Sequence, residues 1–187
     1  MTYDRATIWL HWLTALLVAA LWTLGQTTEL IFDKGTTGRF AMWSSHFTLG
    51  ALLALTYVVR VIWKLAGQRR LPGVGSPGLV KLAAAGHGVL YLGLAIVLAL
   101  GIADALSRGS NVWGLFHYPE LIDKEWREPL TDWHGLAANI LLAVAALHAL
   151  IALVHQYLWR DGVLTRMWPA LGRCAVCPQV ESYPPAA

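Results

Sequence analysis

Seven histidines are the residues of this 187-residue chain best placed to do chemistry. Six of them, His11, His46, His87, His134, His148 and His155, fall inside long stretches without one Asp, Glu, Lys or Arg, and only His117 lies elsewhere. An ionisable side chain in such surroundings is costly and marks a functional site by default. On a helix that rises 1.5 Å and turns 100° per residue, His134 and His148 are about 21 Å apart along the axis and about 40° apart around it. They occupy one face at two depths. His155 continues the same stripe one heptad further on.

The elements that must position these side chains follow from the charge pattern. Charge-free windows run over Ala6–Thr28, Phe40–Val59, Leu82–Ala103 and Trp133–Trp159. Each reaches the roughly 20 apolar residues that a helix needs to cross a bilayer core. With 57% hydrophobic residues, 13% charged residues and a mean hydropathy of +0.52, the chain reads as an all-α integral membrane four-helix bundle. Disorder, a soluble enzyme, a β-barrel and a repeat solenoid do not produce such runs. The first window is too long for a cleaved signal peptide and carries His11 and Trp12, so it is read as the first span. The expected organisation is a membrane domain over 1–168, with spans at about 6–28, 40–59, 82–103 and 133–159, and a flexible cytoplasmic tail over 169–187.

Charge also sets the orientation. One side receives Arg5, Arg60, Lys64, Arg69, Arg70, Lys81, Arg160, Arg166 and Arg173, whereas the other receives only Lys34, Arg39, Arg108, Lys124 and Arg127. The positive-inside rule then places both termini in the cytoplasm. Trp9, Trp12, Trp43, Trp63, Trp133 and Trp159 lie near window ends, where indole rings favour the interface. The net charge of +3 comes without a basic cluster interleaved with aromatics in a soluble region, so nucleic acid is not an expected partner. Residues 29–39 read as a tight outer loop, and Gly67–Gly78 as the inner loop between spans two and three. Within the outer stretch 104–132, Val112–Leu121 reads either as a short surface helix or as a loop with scattered aromatics. The segment after Arg160, rich in Pro and small residues, is expected to be partly disordered.

Depth sorts the histidines into two groups. His46 enters from the outside at the level of His134, while His11 enters from the inside and belongs with the inner half of span four. Its partner there is His148 by spacing or His155 by depth. Two-histidine sites fit zinc poorly, since zinc takes three or four protein ligands. They fit haem, because the porphyrin supplies four nitrogens and asks the protein only for axial ligands. Without a Cys-x-x-Cys-His, that haem is non-covalent and b-type. Gly50, one turn past His46, and Gly86 and Gly93 on span three give room either for a macrocycle or for close helix packing.

The segments Ile8–Trp12 (IWLHW), His46 with Gly50, His87, and Trp133-His134…His148…His155-Gln156-Tyr157 followed by Trp159-Arg160-Asp161 resemble the bacterial cytochrome b561 family over nearly the whole chain. The resemblance implies two b-type haems, with axial pairs His11–His148 inside and His46–His134 outside. It places His87 and His155 beside the inner haem or a quinone. It also implies electron exchange between ubiquinone, or another quinone, and a periplasmic partner. The best-understood activity of the family is superoxide oxidation at the outer face. Here the outer loops carry five basic residues against eight acidic ones, which opposes steering of an anion. Two other classes stand beside this oxidoreductase: a haem-bearing membrane anchor of a dehydrogenase or hydrogenase, and a haem-free transporter using buried histidines. Cys174 and Cys177 form a Cys-x-x-Cys in the tail, read as incidental, with a redox or metal role as the alternative.

Overall fold

A computed structural model describes residues 2–67 and 71–169 of the protein. Four long helices dominate it: α1 (Arg5–Ile31), α2 (Thr37–Leu65), α3 (Pro77–Arg108) and α4 (Arg127–Val154), the last extended by a π-helical turn, His155–Trp159. All four are long and apolar enough to cross a membrane. They overrun the charge-free windows because polar groups cap them outside the apolar stretch. The Asp4 carboxylate accepts from the Thr7 N–H at 2.9 Å. Thr36 caps α2 and Ser76, followed by Pro77, caps α3. Each cap satisfies an N–H that the first turn leaves without a partner. The outer loop expected over 29–39 shrinks accordingly to 32–36.

The helices form two antiparallel pairs, α1 with α2 and α3 with α4, which meet mainly through α1 and α4. The core is thin: Leu17, Leu21, Leu53, Leu94 and Leu141 pack together at mid-height. Large side chains such as Leu16, Leu55, Leu92 and Leu147 point outward and are more than half exposed, as a lipid-facing surface requires. Polar groups inside the helices bond to their own backbone. Thr14 donates to the Leu10 carbonyl at 2.6 Å and Thr28 to that of Leu24 at 2.6 Å, so neither is left unsatisfied in hydrocarbon.

Of the two readings of Val112–Leu121, the structure rejects the helix: Asn111–Val112 (β1) pairs antiparallel with Phe116–His117 (β2). Trp113 and Gly114 turn the chain with φ of 57° and 71°, and two consecutive positive φ angles exclude a helix. Of the segment after Arg160, residues 161–168 are held in place. The Tyr3 N–H donates to the Arg166 carbonyl at 3.2 Å, Trp12 Nε1 to that of Met167 at 3.0 Å, and the Arg166 guanidinium to that of Pro72 at 2.7 Å. The segment lies across one end of the bundle, called here the terminal end; the opposite one is the hairpin end. The tail with Cys174 and Cys177 falls outside the described residues.

Candidate functional site: paired histidines at two levels

A 14-residue repeat, two heptads, organises all four helices. It links His11 to Gly25 on α1, His46 to Arg60 on α2, His87 to Gly101 on α3 and His134 to His148 on α4. The midpoints are Val18, Leu53, Leu94 and Leu141, all in or against the leucine core. Two heptads drift by only about 40° around a helix, so both ends of each repeat share one face of their helix. The antiparallel pairing then stacks His11, Arg60, His87 and His148 at the terminal level, and Gly25, His46, Gly101 and His134 at the hairpin level.

At the hairpin level, glycines make room for imidazoles. A Cβ at Gly101 would lie 2.9 Å from His134 Cε1, closer than any real contact, and one at Gly25 would lie 3.6 Å from His46 Cε1. His134 Nδ1 is 3.0 Å from the Val97 carbonyl oxygen. A carbonyl only accepts, so the proton sits on Nδ1 and the Nε2 lone pair stays free. His46 and His134 face each other with ring centroids 6.3 Å apart and planes at 81°. His46 Nδ1 is buried and has no hydrogen-bond partner among the described residues; an unpartnered buried nitrogen of this kind is costly unless something engages it.

At the terminal level, the His11 and His148 centroids are 6.5 Å apart with planes at 65°. A first-row metal sits about 2 Å from an imidazole nitrogen, which lies about 1.1 Å from the ring centre, so two axial imidazoles place their centroids about 6.3 Å apart. Both pairs match that span. Among the described residues no group of three or more His, Cys, Asp or Glu gathers around a common point. The donor set is therefore two imidazoles at a time, which suits a porphyrin that brings its own four nitrogens.

The remaining predicted residues sort around these pairs. His87 lies 5.2 Å from His148 between centroids, and its Nδ1 donates to the Ala83 carbonyl at 2.7 Å. His155 does not reach His11. Its Nδ1 is 2.5 Å from Asp161 Oδ2 and its ring packs edge-on against Trp159 at 4.4 Å. A Cβ at Gly50 or Gly86 would meet nothing within 4 Å, whereas one at Gly93 would press on Leu141 at 3.2 Å; the first two border open space and the third serves helix packing. His117 lies exposed in β2. Sequence reasoning missed Gly25 and Gly101, although both stand one 14-residue repeat from a histidine already singled out.

The β-hairpin lies against α2 beside this upper pair. The Trp113 N–H donates to Ser44 Oγ at 3.1 Å and its indole Nε1 to Thr48 Oγ1 at 3.0 Å. Ser44 and Thr48 stand two residues before and two after His46, and their bonds hold a bulky side chain at positive φ, which such residues rarely adopt.

Known proteins resemble this chain over nearly its whole length. The profile of the family described as prokaryotic cytochrome b561 matches residues 2–170. The chain is 33% identical to a protein of Yersinia pestis named probable superoxide oxidase CybB, over 89% of this chain and 96% of that one. It is 32% identical to a cytochrome b562 of Cereibacter sphaeroides, over 88% and 94%. A cytochrome b561 homolog of Escherichia coli is 28% identical over 84% and 86%. With four apolar spans, two facing imidazole pairs and a family match from end to end of the described bundle, the chain belongs to the prokaryotic cytochrome b561 family of membrane electron-transfer proteins.

Proposed function

We propose that this protein carries two b-type haems and moves electrons through a bacterial inner membrane, between a quinone on the terminal side and a redox partner on the hairpin side. The observation that carries the reading is the pair of imidazole spacings, 6.3 and 6.5 Å, at two levels of one bundle. His46 and His134 would hold the haem near the hairpin end, and His11 and His148 the one near the termini. Bound haem supplies a one-electron iron couple at each level.

The chain's own residues prepare both places. Val97 fixes the tautomer of His134, while Gly25 and Gly101 admit the rings at the hairpin level. The leucine core between the levels keeps out water. His87, exposed beside His148, and His155, held by Asp161, border the terminal level and support a quinone site there. The positive-inside bias supports cytoplasmic termini and a periplasmic hairpin.

The named Yersinia relative makes superoxide a candidate for the hairpin-side partner. The charge layout opposes it. Arg39 pairs with Glu29 at 2.6 Å, Arg108 with Asp104 at 3.0 Å, and Arg127 with Glu120 at 3.6 Å. Three of the five basic residues of that side are thus neutralised, and a field that steers anions is missing. A donor or acceptor without a negative charge fits this face better.

A reduced-minus-oxidised optical spectrum of the purified protein, with haem quantified per chain, tests the proposal. Two haems per chain with the spectrum of two-histidine ligation are expected. One haem per chain, or no absorbance change on adding dithionite, overturns it.

A further inference from the structure

Arg60 is the one charged residue among the eight positions that the 14-residue repeat brings to the two levels. It stands on α2 where α3 carries His87 and α4 carries His148, on the stripe that His46 and Leu53 turn inward. A second contact fixes its depth. Trp63 Nε1 donates to Thr7 Oγ1 at 3.2 Å, which sets the register of α2 against the antiparallel α1. Arg60 lies three residues deeper than Trp63, and three residues deeper than Thr7 on α1 is Leu10, the neighbour of His11.

This cation has no counter-charge among the described residues. Among the described residues neither Arg60 nor Lys64, one turn further along α2, pairs with a carboxylate. Both sit over one ring instead, with the Arg60 guanidinium 5.2 Å and the Lys64 ammonium 4.2 Å from the Tyr91 centroid. Tyr91 is one turn past His87 on α3, and Tyr57 packs beside it at 6.1 Å. A ring face attracts a cation but does not neutralise it. Two like charges one turn apart also repel, which an anion shared between them would relieve.

We propose that Arg60 and Lys64, braced by Tyr91, form an anion clamp for carboxylates at the terminal level, the propionates of the haem between His11 and His148. The inference rests on the two-haem reading. The chemistry required is a pair of anionic oxygens at the membrane-facing end of the α2–α3 pair. Haem b brings two such carboxylates on one edge, and a guanidinium binds a carboxylate through two parallel N–H bonds. The phosphate of an anionic lipid offers the same chemistry from a different source.

Redox titration of the full-length protein, wild type against Arg60→Gln, Lys64→Gln, the double variant and Arg60→Lys, separates the outcomes. The clamp predicts that the glutamine variants keep the two-histidine spectrum at both levels. The potential of the terminal-level haem falls, because lost positive charge favours ferric iron, while that of the hairpin-level haem stays put. Haem transfer from the terminal level to an excess of apomyoglobin becomes about tenfold faster, as with other lost partners of bound metal groups, and Arg60→Lys restores most of both properties. An unchanged potential and transfer rate in the double variant overturns the clamp. So does a potential shift that appears in phosphatidylglycerol nanodiscs and vanishes in phosphatidylcholine ones, which assigns the two cations to lipid phosphate. Should a variant fail to insert, Tyr91→Leu, which removes the brace and leaves both charges, must still speed haem transfer. A wild type with fewer than two haems defeats the underlying reading instead, and is seen before any variant is made.

Discussion

Gly101 on α3 lies so close to His134 on α4 that a methyl group added to it would sit 2.9 Å from the ring. One turn earlier on α3, Val97 accepts the proton of that same ring at 3.0 Å. A single stretch of α3 therefore both admits the imidazole and fixes which nitrogen it presents. Gly101→Ala should push the ring off this carbonyl, as overpacking of a filled interior does at a cost of about 1–3 kcal/mol. We expect haem content to fall toward one per chain. Gly25→Ala, whose methyl would make an ordinary 3.6 Å contact with His46, should retain both haems. Pyridine haemochrome assay of the two variants checks the contrast.

The partner of His11 is tested by paired alanines. His148→Ala should leave one haem per chain, at the hairpin level, because it removes one of the two facing rings. His155→Ala should retain two, since that ring is engaged by Asp161 and Trp159. Haem per chain and the low-temperature spectrum distinguish them, and the reverse pattern rejects the assignment.

Asp161 introduces a pH dependence at the terminal end. Burial pulls its carboxyl upward, but hydrogen bonds from His155 and from the Val163 N–H outweigh this and hold it below its ordinary value of 3.8. A carboxylate favoured by the fold stabilises it at pH values above 3.8, and that contribution is lost as the pH falls through the depressed value. Acid titration of tryptophan fluorescence should show the segment 161–168 loosening below pH 3.8. Asp161→Asn should abolish that step and expose the segment to protease at neutral pH.

The hairpin depends on two hydroxyls of α2. Ser44→Ala removes the acceptor of the Trp113 N–H, and Thr48→Ala that of its indole. Each should cost about 1 kcal/mol, the usual net worth of such a bond, read as a lower thermal midpoint. Both should leave the terminal-level haem unchanged, since these bonds lie at the other end of the bundle.

Should superoxide be consumed at the hairpin face, its rate constant should not drop as salt is added, because three of five cations there are already paired. Stopped-flow measurement between 10 and 500 mM salt, where screening of a steering field would be pronounced, makes the check. A steep fall with salt would restore anion steering and contradict the charge argument.

Much of this architecture was legible in the chain itself. Charge-free windows located all four helices, because burying charge in hydrocarbon is expensive wherever it occurs. Helical periodicity put His134 and His148 on one stripe, and depth matched His46 to His134. What sequence could not reach depended on contacts between helices. Gly25 and Gly101 matter only through the rings across from them, and the sequence did not show that the chain folds back after Arg160 so that Asp161 engages His155. The turn at Trp113 was likewise hidden, since a tryptophan at positive φ runs against local preference and is held there by hydroxyls of a distant helix.

The leucine layer at mid-height has an electrical meaning. Leu17, Leu21, Leu53, Leu94 and Leu141 put no titratable group into the layer itself, and the nearest phenols, Tyr57 and Tyr91, lie on its terminal side, so a passing electron finds no proton partner within the layer. Each turnover would then displace uncompensated charge across a thin insulator, as in a capacitor being charged. Traffic through this protein would be driven or braked by the membrane voltage, and vesicles containing it should develop a potential while the only protons exchanged are those a quinone takes up or releases at the terminal side.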